Sequence, residues 1–250
     1  MIPPKLLLIL GPTASGKSTA GRALASKGWQ HIEASDVFRR LIAKRSIQAP
    51  DDVRAADRLF EIAGFDAVSQ SVLDNLGNGD LEPVALSGLR TPEEILTLLV
   101  APVSVRIVSL QARFSTRLGR TEESAECMTQ RDRKESSWGL LPISADLADR
   151  IIVNESTLQA FLAEIQQVEE WSNWSAKGTP SNVARLRLAT LIEADAGARV
   201  SDPTLAALVE PQGLARRAAH DHWTLSRSGR AYLALMRHRW PAIYRSPCPA

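Results

Sequence analysis

Cysteine is nearly missing from this chain. Two residues in 250, Cys127 and Cys248, are too few for a disulfide framework, and neither stands in a spacing that holds a metal. They read as free thiols. Long apolar runs are also missing, and nothing approaches the ~20 residues that span a bilayer. The start, "MIPPKLLLIL", has one Lys and a short apolar stretch, but it runs straight into a glycine-containing loop. A cleaved signal peptide would be cut inside that loop, so the segment reads as a buried strand and the expected compartment is the cytoplasm. Internal repeats and low-complexity segments are absent as well. What is present, 44% hydrophobic and 23% charged residues, is ordinary globular composition. The length suits one large domain, or one of about 170 residues with a small appendix.

The net charge of +2 hides an asymmetry. Residues 1–170 hold 19 Lys and Arg against 23 Asp and Glu, a balance of −4; residues 171–250 hold 11 against 5, a balance of +6. Ten of those eleven cations are Arg. Such an excess suits a phosphate-bearing partner or a solvated basic face.

Residues 1–171 alternate short apolar runs with helical patterns. Strands are expected at "KLLLIL" (5–10), "HIEA" (31–34), "PVALS" (83–87), "VRIVSL" (105–110) and "RIIVN" (150–154). They are continuous and rich in Val, Ile and Leu, as strands covered on both faces must be. Helices are expected at 17–27, 36–46, 52–76, 92–99, 111–135 and 157–171. This alternation predicts an α/β fold, a three-layer parallel sheet with helices on both faces. Residues 172–182, "SNWSAKGTPSN", read as a linker. Residues 183–250 then form a smaller, mainly helical basic domain. There "VARLRLATLIEA" and "DPTLAALVE" read as helices, and "HWTLSRSGRAYLALMRHRW" as a short strand, a turn at Ser226 and a helix. Helices followed by strand and helix resemble a winged-helix module, with Leu225, Ser226, Gly229 and Arg230 carrying the match.

The strongest motif is Gly11-Pro12-Thr13-Ala14-Ser15-Gly16-Lys17-Ser18, a full G-x-x-x-x-G-K-[ST] between a strand and a helix. Gly11 and Gly16 let the backbone turn so that the N–H groups of Thr13, Ala14, Ser15 and Gly16 wrap a β-phosphate. The helix that follows adds its positive end. Lys17 bridges β- and γ-phosphates and the Ser18 hydroxyl is a Mg²⁺ ligand, while Thr19 supports the helix start. ATP and Mg²⁺ are therefore the expected cofactors.

Beyond the loop, "IEASDVFRRL" puts Asp36 and Arg39 near the carboxyl edge of the sheet, where ligands of such folds bind, and "ALSGLRTPEEI" puts Arg90 there. The segment 111–140 carries Arg113, Arg117, Arg120, Arg131 and Arg133 and reads as a lid. Its arginines would meet the transferring phosphoryl group, and Glu122, Glu123 and Glu126 are alternative partners for some of them.

These residues resemble the nucleotide-kinase group of P-loop proteins, which includes adenylate kinase and dephospho-CoA kinase, over the first 170 residues. "EASDVFRRL" is similar to the group's Asp-x-x-Arg motif, "LSGLRTPEEI" to its Asp-Gly-x-Arg-x-x-Glu-Glu segment, and "RDRKESSWGLLPISADLADRIIVNES" to its closing segment. The resemblance implies that Asp36 lies by the acceptor and that Arg39, Arg90 and Arg131 grip it. It also implies that Lys17, Arg117 and Arg120 serve catalysis and that Asn154 borders the adenine. One position departs: Ser87 stands where the group commonly has an Asp that orders water around Mg²⁺. Either Asp36 takes over that role or metal binding is weaker.

Three readings of the acceptor stay open. The basic tail suits a polymer, as in phage P-loop kinases that phosphorylate 5-hydroxymethylpyrimidines in DNA. There Asp36 would take the hydroxyl proton, Arg216, Arg217, Arg227, Arg230, Arg237 and Arg239 would neutralise DNA phosphates, and Trp223 and Trp240 would stack on bases. A phage enzyme of this kind would work in the host cytoplasm. The second reading is a kinase of a free nucleoside monophosphate or of dephospho-CoA. The third is an ATP-gated DNA-binding regulator that transfers nothing. None of them needs a membrane.

Overall fold

The computed structural model describes residues 4–76, 82–169, 182–195, 209–210, 213–217 and 223–241. Its centre is a five-stranded parallel sheet in the order β2-β3-β1-β4-β5. The strands are β1 (Lys5–Leu10), β2 (Gln30–Glu33), β3 (Val84–Ser87), β4 (Ser104–Gln111) and β5 (Arg150–Val153). Parallel pairing sets Leu8 beside Leu86 and Ile107, which brings the ends of β1, β2 and β3 to one edge.

Successive side chains of a strand point to opposite faces, so "LLLIL" serves two cores. Leu6, Leu8 and Leu10 enter one cluster; Leu7 and Ile9 enter the other. The second is closed by α1 (Lys17–Ala25) and α9 (Leu158–Glu169) through Leu24, Phe161 and Ile165. The first is closed by α2 (Ala34–Lys44), α3 (Asp52–Ala63), α4 (Ala67–Leu76) and α5 (Pro92–Val100). Burying each such side chain contributes about 1.5–3 kcal/mol. One expectation fails at an edge: β5 leaves Ile151 and Val153 about half exposed rather than covered on both faces.

Two expected helices are each broken in two. The 52–76 helix stops at Gly64, whose φ of +89° is open to glycine but strained for other residues, and restarts as α4. The 111–135 helix becomes α6 (Phe114–Leu118) and α7 (Ala125–Ser137), separated by a turn at Gly119 and capped afresh by the Ser124 side chain on the Cys127 N–H. The short α8 (Ser144–Leu147) then leads into β5.

Residues 172–181 of the expected linker and 202–208 of "DPTLAALVE" lie outside the described residues. Beyond them come α10 (Asn182–Asp195), an antiparallel hairpin of β6 (Ala215–Arg217) and β7 (Trp223–Leu225), and α11 (Arg227–Arg239). These elements share the first core cluster. Leu188, Leu191, Tyr232, Leu235 and Met236 are buried in the same cluster as Leu6, Ile95, Leu98 and Ile107. The C-terminal part thus completes one face of the sheet.

Candidate active site

The loop between β1 and α1 is shaped by close approaches. Gly11 has φ +140°, and a Cβ there would run into the Leu110 carbonyl and lie 2.9 Å from Ser15 Oγ. Gly16 has φ +104°, and a Cβ would come within 2.6 Å of Asn154 Nδ2. Ala14 takes a left-handed φ of +60°. Asn154 Nδ2 donates to the Ser15 carbonyl (2.9 Å), tying the end of β5 to the loop. Gly16 is the N-cap of α1 and provides no side-chain cap, so the first N–H groups of the helix are left for an anion.

Lys17 is folded back onto the loop. Its Nζ donates to the carbonyls of Gly11 (2.8 Å) and Pro12 (2.7 Å). Burial is the main reason its pKa drops to about 8; Arg117 and Arg90 push the same way, and Glu135 and Glu33 oppose. Lys17 and Ser18 line a cavity of about 150 Å³ whose polar walls include Glu33, Ser35, Ser87, Arg90 and Glu135. Leu140 and Leu141 form an apolar side.

The lid reaches the loop through Thr13. Its Oγ1 donates to Glu135 Oε1 (2.9 Å), and its carbonyl accepts from Arg117 Nη1 (3.1 Å). Arg117, 5% exposed, is also held by Asp132 (Nη1 to Oδ1, 3.0 Å). Arg120 donates to the Asn154 carbonyl (2.9 Å) and to its side-chain oxygen (3.2 Å). Both lid arginines therefore bind the walls of the nucleotide loop. Arg131 pairs with Glu123 (2.7 Å), away from the cavity.

Arg90 lies between two rings, its guanidinium carbon 5.1 Å from the centroids of both Phe38 and Trp138. Beneath it Glu94 is fully buried, accepting the N–H groups of Arg90 (2.6 Å) and Thr91 (2.9 Å) in a capping box. Burial raises the Glu94 pKa to about 7 against the pull of those two N–H groups.

Asp36 and Arg39 do not meet this cavity. They pair with each other at 2.7 Å with side chains about 60% exposed. The reason is helical phase: α2 starts at Ala34 and buries Ala34, Val37, Phe38 and Leu41, which turns positions 36 and 39 outward. The carboxylates in the cavity are Glu33, the last residue of β2, and Glu135, which reasoning from sequence passed over. Glu33 had a signal, because a carboxylate ending a parallel strand stands at the ligand edge of the sheet. Glu135 sits in the quoted Arg-Asp-x-x-Glu segment, and only the fold brings it to Thr13. Thr19 faces a groove between α1 and α9 rather than the phosphate side.

Ser87 is buried, and its Oγ lies 3.1 Å from His31 Nε2. Burial lowers the His31 pKa, which favours a neutral pair at the position where Ser87 replaces the Asp common in the resembling group. For Mg²⁺ the donor set still fits: the Ser18 hydroxyl and the Glu33 and Glu135 carboxylates offer hard oxygen donors on one cavity. Among the described residues no group of three or more His, Cys, Asp or Glu could hold a metal ion.

The basic C-terminal part corrects another expectation. Arg239 has a fully buried side chain on Asp149 (2.6 Å), and Arg227 pairs with Glu93 and donates to the Trp138 carbonyl (2.9 Å), so neither is free for DNA. Arg187 pairs with Asp146, which also accepts from Tyr232 Oη (3.1 Å). Burial raises both the Asp146 and Tyr232 pKa values. Trp223 and Trp240 are core residues, 2% and 9% exposed. Arg216, Arg217, Arg230 and Arg237 are exposed. Among the described residues, no helix is long and apolar enough to cross a membrane.

No family model matches the chain. It is 29% identical over 193 residues to a UPF0200 protein of Methanosarcina barkeri, covering 71% of this chain and 99% of that one. It is 33% identical over 181 residues to a UPF0200 protein of Saccharolobus islandicus, covering 66% and 93%. Among solved structures it is similar to TT1252 from Thermus thermophilus, with a TM-score of 0.51 and 16% identity over 68% of this chain and 98% of that one. It is also similar to shikimate kinase from Acinetobacter baumannii, with a TM-score of 0.45 and 20% identity over 68% and 95%.

Proposed function

The chain belongs to the UPF0200 family, and from that premise we propose that it is a P-loop kinase, transferring the γ-phosphate of ATP to a small, anionic, nucleotide-type acceptor. One observation carries the reading: the uncapped phosphate loop and Lys17 share a cavity with a ring-held arginine and two carboxylates. A site that only senses ATP has no use for the ring-held arginine.

Loop N–H groups and the start of α1 bind the β-phosphate, and Lys17 leaves its carbonyl partners to bridge β and γ. Ser18, with Glu135, would hold Mg²⁺, which would neutralise charge on the phosphate oxygens. Arg117 and Arg120 act by holding Thr13 and Asn154, and thereby the loop. Asn154 and the neighbouring loop border the adenine. Arg90 binds the acceptor's anionic group. For a hydroxyl acceptor, its oxygen attacks the γ-phosphorus, the bond to the bridging oxygen of ADP breaks, and the proton passes to Glu33 and then to water. Asp36, outside the cavity, is unnecessary for this.

The test supplies γ-³²P-ATP and Mg²⁺ with nucleoside monophosphates, dephospho-CoA, or duplex DNA with and without 5-hydroxymethyluracil. Label in a small acceptor, abolished by Lys17→Ala, reduced about a hundredfold or more by Glu33→Gln and little changed by Asp36→Ala, supports the reading. Label in DNA alone restores the polymer reading, and ATP binding without any transfer leaves the regulator.

A further inference from the structure

We infer that Arg227, on α11, is a positioning residue for the acceptor site: it fixes Trp138, and Trp138 holds the Arg90 guanidinium at the cavity. The inference rests on the reading of Arg90 as the acceptor's anion grip.

Arg90 is held by stacking, so its aim is only as firm as the rings beside it. Phe38 is fixed in the core by α2. Trp138 is the C-cap of α7, on a lid segment, and needs other restraints. Its indole N–H donates to Asp57 Oδ1 at 3.2 Å, and the same carboxylate accepts Lys134 Nζ at 2.8 Å. Phe60 packs against it with the two rings nearly perpendicular and their centroids 5.9 Å apart.

Its backbone is held from the C-terminal part. Arg227 Nη2 donates to the Trp138 carbonyl at 2.9 Å. The same guanidinium lies 3.7 Å from the centroid of Phe65, which stacks on Phe60, and it pairs with Glu93 at the start of α5. Glu93 adjoins Glu94, whose carboxylate accepts the Arg90 N–H. One guanidinium therefore braces both supports of Arg90, the ring above it and the helix start below. Lysine could pair with Glu93 but could not also fork to the carbonyl and stack on a ring.

The neighbouring residue shows how closely α11 is seated. Gly139 has φ +96°, and a Cβ there would lie 2.6 Å from the Ser228 Cβ. The helix start therefore presses on the backbone immediately after Trp138. Small displacements at such a support are costly, since about 1 Å of misplacement can cost on the order of a hundredfold in rate.

The test follows the Arg Nε–Hε resonances of the ¹⁵N-labelled protein saturated with ADP and Mg²⁺, with inorganic phosphate as the probe. Arg90→Lys assigns the Arg90 signal, expected to be ring-shifted upfield and to move on phosphate addition. Arg227→Gln should return that signal toward the free-arginine position and weaken phosphate about tenfold, while ADP affinity stays within about twofold. Arg227→Lys should restore part of both effects. Should Arg227→Gln fail to fold, Glu93→Gln removes the partner instead and should shift Arg90 the same way, less far. An unchanged Arg90 signal and phosphate affinity in these variants, with only the melting temperature lowered, would overturn the inference. If phosphate fails to move Arg90 in the wild type, the anion-grip reading falls, while the ring shift still decides what Arg227 does.

Discussion

The lid and the C-terminal part are both arginine-rich, yet they use their arginines differently. In the lid, Arg117 and Arg120 reach the main-chain carbonyls of Thr13 and Asn154, and the one acidic partner among them, Asp132 on Arg117, belongs to the lid itself. In the C-terminal part, Arg187, Arg227 and Arg239 meet Asp146, Glu93 and Asp149, acidic residues belonging to the sheet domain. The excess of +6 in residues 171–250 therefore balances, in part, the deficit of −4 in residues 1–170. Charge counted along a chain says little about partners until it is known which charges face inward.

The sharpest way to break this contrast is inside the C-terminal part. Arg239→Met should cost about 3–5 kcal/mol in urea unfolding, because the largely buried Asp149 carboxylate would lose its cation and keep only the Ile107 N–H. Arg216→Ala, at an exposed site, should stay within about 0.5 kcal/mol. Equal losses would show that exposure does not separate these arginines.

Next comes the acceptor side. Glu94 holds its proton more tightly folded than unfolded, so its contribution to stability falls as pH rises from about 4.5 to about 7 and is constant above. The span is on the order of 3 kcal/mol. Glu94→Gln keeps an oxygen for the Arg90 and Thr91 N–H groups and should flatten that stretch of the stability–pH curve.

Lys17 has the opposite sign. Its folded pKa is depressed to about 8, and the charge of a bound triphosphate would raise it. ATP affinity should decline above pH 8, approaching tenfold per pH unit, with proton uptake on binding. Calorimetry in buffers of different ionisation enthalpy measures that uptake, and an absence of uptake near pH 8 to 9 would contradict the buried, carbonyl-bound lysine.

The smallest effect is expected in the lid. Arg120→Ala removes two hydrogen bonds to Asn154 and should weaken ATP about fivefold, roughly 1 kcal/mol, with little change in melting temperature.

How much of this was legible in the sequence follows the range of each signal. The five strands were readable to within a residue or so, because runs such as "KLLLIL" carry their own evidence. The phosphate loop was equally plain, being eight consecutive residues. The helix breaks at Gly64 and Gly119 were marked by glycine and missed through reliance on apolar spacing. The outward turn of Asp36 and Arg39 was also written locally, in the spacing of Ala34, Val37, Phe38 and Leu41. The Thr13–Glu135 bond, the Arg90 stack and the Arg239–Asp149 pair join residues from 48 to 122 positions apart, and no local pattern announces them.

The seating of α11 has a bearing on biosynthesis. Tyr232, Leu235 and Met236 fill a face of the sheet whose other strands and helices are made well before them. A ribosome therefore releases a complete phosphate loop long before that face is closed, and the nascent chain carries an open apolar seat until residue 240 is out. Chaperone contact during synthesis should concentrate on that seat and end when α11 docks, the same event that sets Arg227 against the Trp138 carbonyl.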